Sequence, residues 1–513
     1  MINIAGLADM FAARNAAQPA LIDPVSGINR TYGQLADRTG LLATALFDVH
    51  GIRPGSRVAA LSRNSMELME LYLACARTGS LLFPLNWRFS PEQVVTALRD
   101  ATPSVVFYEA EFADVVDQIR TQVDTTWVEW ASGKDTEYED LLARVRTRAG
   151  DVRPLLPDPG SLLFQPFVAI STGGTTGVPK SAVHSQYSYG ACTIDYLAGT
   201  RVAENDVYLM LGQLFHVVGY MAFAYLLRGR PVVVANFETD NMLELIRQEN
   251  VSAFMAIGAM LPRLVSELER DGKPTPSVRL LEYGGAPMGA DTIRRAGELF
   301  GAGLMQAWGM TEFGPGTYLG PEAHRRALSG EKPELLRSCG NSTILSTLAV
   351  LDPETGKPVP RDGRTMGELC HRGPNNMLHY WNKPEETAEV MRDGWIHTGD
   401  GATWDEEGFF YIVDRLKSMI ISGGENVFPS EVERCLSDHP SIDEVVVVGT
   451  PDEAWGEVVK AVVVRVPGSS LTEAEVSSYV GERLASYKKP RIVKFVDELP
   501  MTPTGKVNRK LLK

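Results

Sequence analysis

Hydrophobic residues along this chain recur with two alternating periods. After Thr31-Tyr32-Gly33-Gln34, residues Leu35, Leu42, Ala45 and Leu46 return at helical spacing and predict an amphipathic helix. Val58-Ala59-Ala60-Leu61, following the turn Pro54-Gly55, reads as a short buried strand. Asn64 is placed to cap the next helix, whose apolar face is Met69, Tyr72, Leu73 and Ala76. Leu81 to Asn86 predicts another strand, closed by its proline. Ser90-Pro91-Glu92-Gln93 has the form of a capping box, and Val94, Val95 and Leu98 supply that helix's buried side. Val105-Val106-Phe107 is again strand-like. Alternation of this kind implies an α/β fold with a largely parallel sheet.

The pattern changes further on. Leu348 to Leu351 and Gly367 to Cys370 flank the turn-rich link Asp352-Pro353-Glu354-Thr355-Gly356 and predict a hairpin. Beyond Lys417, Gly423 and Gly424 precede a helix near Pro429. Two valine-rich strands, 445–448 and 461–464, and a third at 492–496 complete a compact unit. The expected organisation is a large domain of layered α/β sheets over 1–416 and a small, mobile α/β domain over 417–513. A Pro- and Asp-rich connector occupies 151–160.

At 513 residues the chain exceeds a single ordinary core. Its net charge of -14 argues against general binding to nucleic acid or to an acidic membrane surface, which needs a basic face. The five cysteines, Cys75, Cys192, Cys339, Cys370 and Cys435, are scattered and contain no C-x-x-C pair, so a reducing compartment and no structural zinc are expected. No basic region precedes an apolar run near Met1, and no apolar run approaches the ~20 residues that span a bilayer. A cytoplasmic protein is expected, with no transmembrane segment.

Candidate chemistry begins at Ser171-Thr172-Gly173-Gly174-Thr175-Thr176-Gly177-Val178-Pro179-Lys180. Glycines allow several N–H groups to face one point, the threonines add hydroxyl donors, and Lys180 adds a mobile cation, which together suit phosphate. It is not a Walker A loop, because two residues separate Gly177 from the lysine and no Gly-Lys-Ser/Thr follows. His216, within Leu214-Phe215-His216-Val217, is by itself an ordinary core histidine. Gly284-Gly285-Ala286-Pro287 offers small residues that a flat ring can approach, or simply a turn. Trp308-Gly309-Met310-Thr311-Glu312 sets an aromatic, a hydroxyl and a carboxylate within five positions, and such a carboxylate beside phosphates suits Mg²⁺. Asp400 and Arg415 fit either a ribose or each other. Pro503-Thr504-Gly505-Lys506 projects a lysine from a turn.

Taken in this order, these motifs resemble the adenylate-forming superfamily, in its acyl-CoA synthetase branch, over nearly the whole chain. The resemblance implies ATP, Mg²⁺ and CoA as ligands and a small carboxylic acid as substrate. It assigns the loop residues Thr172, Gly173, Gly174, Thr175, Thr176, Gly177 and Lys180 to the β- and γ-phosphates. Gly285, Ala286, Pro287 and Trp308 flank the adenine, Thr311 contacts the α-phosphate, and Glu312 holds the metal. Asp400 and Arg415 take the ribose. Lys506 bridges the acid's carboxylate and the α-phosphate, and Lys417 is the hinge. Gly423 and Gly424 line a pantetheine tunnel gated by His216. Val218, Ala222, Gly284 and Gly309 form the acyl pocket; their small or apolar side chains point to an aromatic, medium-chain or polycyclic acid.

Four positions depart from the family pattern: Gly173 stands for a common serine, Ser181 for a glycine, Gln213 for a proline and Trp308 for a tyrosine. The first removes one hydroxyl donor but leaves the backbone donors; none disables catalysis, and the relative rates of the two half-reactions stay open. The expected activity is acid–CoA ligation. The alternatives are a free-standing enzyme loading a phosphopantetheinyl carrier protein, a luciferase-like oxygenase, or a nucleotide-binding protein without turnover.

Overall fold

The computed structural model describes residues 4–131, 136–149, 159–172, 180–237, 239–286, 288–501 and 507–513. The chain divides into two compact units, Met1–Leu348 with His371–Ile396, and Ala349–Cys370 with His397–Lys513. The expected α/β class with layered sheets is what the structure has.

In the first unit, the described residues build two sheets around a shared helical layer. One sheet runs Asn341–Ser342, Gly314–Leu319, Gly303–Met310, Leu280–Gly284, Ala253–Ile257, Tyr208–Met210, Val232–Val234, Pro19–Asp23 and Ile28–Thr31. Its centre is parallel and its outer strands are antiparallel. The other runs His379–Tyr380, Lys180–Ser185, Pro166–Thr172, Leu81–Leu85, Arg57–Leu61, Val105–Glu109 and Thr126–Trp130. Inner-face residues of both sheets, such as Val58, Phe107, Met255 and Met305, join one buried cluster with Tyr32, Tyr72, Tyr189 and Tyr225 from the helices between them. Each sheet's opposite face is covered by its own cluster, around Leu264 and Ile293 for one and Leu98 and Val116 for the other. Burial on both faces explains why the central strands read as continuous apolar runs.

The local reading carries over where side chains act on their own neighbours. Thr31 and Ser90 each close a capping box, with Gln34 and Gln93, on the helices Tyr32–Asp48 and Pro91–Ala101. The helix Met66–Thr78 is different. Its cap is Ser65, which accepts from Leu68 N, and Asn64 instead bonds across the core. Asn64 Nδ2 donates to Gly212 O and Ala235 O, both at 3.1 Å, and its Oδ1 accepts from Leu214 N. The expected cap is therefore a tie between the two sheets' loops.

In the second unit, Ile442–Asp452 and Gly456–Arg465 form a long antiparallel pair with Val445 opposite Val463, and Ile492–Val496 adds in parallel. Ile420–Ser422 and Glu425–Val427 form a hairpin turned by Gly423 (φ 61°) and Gly424 (φ 87°). Two successive positive φ values require glycine-like residues at this turn. A Cβ on Gly423 would collide with the Trp455 ring. The helix Pro429–Ser437 follows, as expected.

No disulfide joins the five cysteines, and Cys75, Cys192, Cys339 and Cys370 are buried. Burial pushes the Cys75 thiol up to about 12 and the Cys192 thiol up as well. Among the described residues, no helix is long and apolar enough to cross a membrane.

Candidate active site

The phosphate-loop motif joins two paired strands. Thr172 ends Pro166–Thr172, Lys180 begins Lys180–Ser185, and the two residues are antiparallel partners. Residues 173–179 lie outside the described residues, and with them Gly173, Gly174, Thr175, Thr176 and Gly177; Pro287 and Lys506 do also. What is visible is that the loop's two ends are held side by side.

Beside Lys180, the strand His379–Tyr380 pairs with the same strand, setting Tyr380 opposite Ala182. Lys180 Nζ lies 5.3 Å from the centre of the Tyr380 ring, a cation over an aromatic face. The Tyr380 hydroxyl donates a short hydrogen bond to Glu312 Oε1. Glu312 is buried, and its backbone carbonyl accepts from Met377 N at 2.6 Å. Thr311 and Glu312 occupy the turn between Gly303–Met310 and Gly314–Leu319. His184, in the strand that Lys180 begins, contacts the Thr311 carbonyl through Nε2 at 2.7 Å. Burial holds the His184 ring down at about 4, so it is neutral, and the carbonyl requires its one N–H on Nε2. Lys180, Thr311 and Glu312, distant in sequence, are thus brought together by one strand pairing and two side chains.

Behind this turn the packing is tight. Trp308 meets Phe313 with ring centres 5.7 Å apart, and Phe313 stacks on His371 at 4.0 Å with planes 5° apart. His371 Nδ1 lies 2.8 Å from Asn376 Oδ1 and Nε2 lies 2.9 Å from Ser346 Oγ; burial holds its ring at about 4. Asn375 Nδ2 donates to the carbonyls of Phe313 and Pro315. Gly309 is pressed against the opposite strand, where a Cβ would collide with the Gly314 carbonyl. Gly284 ends Leu280–Gly284 at the C-terminal edge of the parallel strands, paired with Ala307, and Gly285 (φ 76°) and Ala286 turn away from it. This edge of an open parallel sheet is where α/β proteins bind ligands.

His216 immediately precedes the turn Val217–Gly219 and rests on Phe215, ring centres 4.4 Å apart. Gln213, the departure from proline, accepts from Trp87 Nε1 at 2.9 Å. Arg88 lies over that indole, 4.1 Å from its centre. Val218 packs over Gly212, and Ala222 is buried on the helix Tyr220–Leu227.

In the second unit, Asp400 and Arg415 are register partners of the strands Trp395–Trp404 and Phe410–Arg415. Arg415 Nε lies 2.8 Å from Asp400 Oδ1, and another guanidinium nitrogen donates to Thr398 O at 2.8 Å. Asp400 is buried and Arg415 half exposed. Glu368 supports the same segment, accepting from Gly399 N at 2.9 Å and bonding His397 Nδ1 at 2.7 Å. Lys417 lies in the turn Leu416–Ser418 directly after Arg415. Sequence spacing singled out Lys180, Glu312, Asp400 and Arg415 but not Tyr380, His184 or Glu368. Glu368 acts across neighbouring strands of one sheet, Tyr380 and His184 reach a turn of the other sheet, and the only local signal was a polar residue inside a buried strand.

The family model for AMP-binding enzymes matches residues 9–381, and that for the AMP-binding enzyme C-terminal domain matches 431–506. The chain is 35% identical over 487 residues to feruloyl-CoA synthase of Amycolatopsis sp, covering 94% of this chain and 93% of the relative. It is 32% identical over 501 residues to the fatty acid–[acyl-carrier-protein] ligase ScoC of Streptomyces coeruleorubidus, covering 95% and 92%. Among solved structures, ATP-bound MatB from Rhodopseudomonas palustris superposes with a TM-score of 0.87 at 29% identity, covering 100% of this chain and 98% of that one. The chain belongs to the AMP-binding, adenylate-forming enzymes and is an ATP-dependent ligase of their acyl-CoA synthetase branch.

Proposed function

We propose that the chain activates an aromatic carboxylic acid with ATP and transfers the acyl group to CoA. The observation that carries this reading is the meeting of Lys180, Thr311 and Glu312 through Tyr380 and His184, near the sheet edge formed by Gly284 and Trp308. In the first half-reaction an acid oxygen attacks the α-phosphorus, the bond to the β-phosphate breaks and pyrophosphate leaves. Two anions must approach each other, so catalysis consists largely of placing positive charge and donors where charge builds up. Lys180 and the 172–177 loop hold the outer phosphates in this reading, Thr311 meets the α-phosphate, and Lys506 meets both reactants. Glu312 suits Mg²⁺: it is a buried carboxylate fixed through Oε1, with Oε2 outside that bond. Bound there, the ion supplies Lewis-acid stabilisation of phosphate charge.

In the second half-reaction a thiolate sulfur attacks the acyl carbon and AMP leaves. Gly423, Gly424 and His216 are assigned to the pantetheine path, and Asp400 with Arg415 to the ribose, each side chain held by the other. Lys417 is the pivot of a C-terminal domain beginning there, which closes on the reactants and keeps water from the adenylate.

Feruloyl is a hydroxylated aromatic acyl group, and that likeness favours an aromatic acid; Val218, Ala222, Gly284 and Gly309 are the residues assigned to its pocket. The likeness to ScoC favours a second reading, in which the acceptor is an acyl carrier protein. AMP release across a panel of acids, with and without CoA, tests the proposal. It requires AMP to rise with CoA for aromatic acids. Adenylate formation without a response to CoA, but with acyl transfer to a phosphopantetheinyl carrier, would establish the second reading.

A further inference from the structure

Glu368 and Cys370 stand two positions apart on the strand Gly367–Arg372, so their side chains leave the same face of the sheet. The neighbouring strand Trp395–Trp404 brings His397 to them. His397 Nδ1 lies 2.7 Å from Glu368 Oε2 and 3.5 Å from Cys370 Sγ. A carboxylate oxygen, a thiol sulfur and an imidazole nitrogen are thus all within 4.8 Å of one another. Glu368 and Cys370 are buried, and the His397 side chain is 18% exposed, which leaves the cluster a way out to solvent. Among the described residues, no other three side chains of ligating type converge in this way.

A Glu–His pair satisfies both of its partners and calls for no sulfur. The cysteine adds a third, softer donor directed at the same nitrogen. Ions of the Zn²⁺ class bind at about 2.0–2.1 Å from nitrogen, 2.0–2.2 Å from oxygen and 2.3 Å from sulfur. At tetrahedral angles those bonds set the nitrogen roughly 3.4 Å from the oxygen and roughly 3.6 Å from the sulfur. The nitrogen–sulfur distance of 3.5 Å is already close to that value. The nitrogen–oxygen gap needs to widen by about 0.6–0.7 Å to reach it, a shift that the broad terminal torsion of glutamate allows.

The surroundings support ligation as well. Glu368 Oε1 accepts from Gly399 N at 2.9 Å, which orients the carboxylate with Oε2 towards His397. Ligating carboxylates carry supporting hydrogen bonds of this kind. The lack of a C-x-x-C pair predicts no zinc, but this set takes a single cysteine and is completed across two strands.

We infer that Glu368, Cys370 and His397 bind one borderline-soft divalent cation of the Zn²⁺ type, with water in its fourth position on the side that His397 leaves open. Thiolate selects against Mg²⁺, a hard ion that takes oxygen ligands, so this site is separate from the one assigned to Glu312. On binding, the Cys370 thiol gives its proton to solvent and the neutral His397 ring keeps its one proton on Nε2. Nδ1, Oε2 and Sγ then each supply an electron pair to the ion. The ion clips the strand Gly367–Arg372 to the strand that runs on to Asp400. This inference does not depend on the acid–CoA ligase reading.

The test uses the full chain, stripped of metal with a chelator and titrated with Co²⁺ in the presence of excess Mg²⁺. Co²⁺ occupies zinc sites and reports a thiolate ligand through a near-ultraviolet sulfur-to-metal absorption band. Wild type should take up one Co²⁺ per chain with that band, and added Zn²⁺ should abolish it. Cys370→Ser should lose the band, whereas Cys435→Ser, at the partly exposed cysteine, should keep it. His397→Ala should weaken Co²⁺ binding by more than the roughly 10–100-fold that losing a supporting partner costs. Absence of the band in wild type overturns the inference without reference to any variant's folding. A band that survives in folded Cys370→Ser, or vanishes in Cys435→Ser, overturns it by placing the thiolate elsewhere. Displacement of Co²⁺ by Mg²⁺ also overturns it, because the ligands would then be oxygens alone.

Discussion

Tyr380 donates its phenol hydrogen to Glu312 Oε1, joining the strand beside Lys180 to the turn that carries Thr311. A hydrogen bond to a charged carboxylate is worth about 1.5–3 kcal/mol, so Tyr380→Phe should cost roughly tenfold or more in kcat/KM for ATP. Because the carboxylate is then less firmly placed, half-maximal rate should need more Mg²⁺. ATP–pyrophosphate exchange measured against Mg²⁺ concentration checks both effects, and an unchanged Mg²⁺ midpoint would argue against Glu312 as the metal's carboxylate.

Two substitutions separate the half-reactions. Lys506→Ala should slow adenylation by on the order of a hundredfold or more while leaving thioester formation from supplied acyl-adenylate near its normal rate. If Lys417 is the hinge proposed above, Lys417→Pro should do the opposite by blocking the rotation. Single-turnover measurements of each step are the check; parallel loss of both steps in either variant would remove the role assigned to it.

His184, His324 and His371 are all held at about 4 by burial, below their ordinary 6.5. A depressed histidine keeps its stabilising contribution above the unfolded value. Below it the unfolded chain binds protons that the folded chain does not, so stability falls as pH drops from 6.5 towards 4. Tm should therefore decline steadily over that window. A Tm that stays level down to about pH 4.5 would contradict neutral burial of these rings.

Glu282 has the opposite sign. Its folded value of about 8 stands above the ordinary 4.5, so the unfolded chain loses its proton first and stability falls as pH rises between the two. Glu282→Gln removes that slope. Relative to wild type, the variant should gain up to roughly 1.4 kcal/mol per pH unit across the window. Urea unfolding of both proteins near pH 5 and near pH 8 measures the difference; a constant difference would mean that Glu282 is already ionised in the folded chain.

Legibility in the sequence followed the range of each interaction. The boxes at Thr31 and Ser90 were readable because cap and partner are three residues apart. Asn64 was misplaced by one position because Ser65 offers the same local chemistry, and only the fold gives Asn64 its distant carbonyls. Lys180, Thr311, Glu312, Asp400 and Arg415 stood out through motif spacing, whereas Tyr380 and His184 acquire their partners from strand pairing and turn packing that no local pattern encodes. Asp400 and Arg415 were readable as a pair or as a ribose site, and the structure has them paired. Glu282 was passed over inside Leu280-Leu281-Glu282-Tyr283, where one charged residue in an apolar run looks like a strand's solvent side.

An enzyme that hands acyl groups to a thiol is exposed to that thiol's disulfide whenever the co-substrate is oxidised. Exchange proceeds through thiolates that a partner can approach. Four of this chain's five cysteines are buried, and burial raises Cys75 and Cys192 far from the thiolate form. The fold thereby makes most of its own sulfurs poor competitors for the co-substrate. Incubation with oxidised CoA should label Cys435, the one cysteine left partly exposed, before any other.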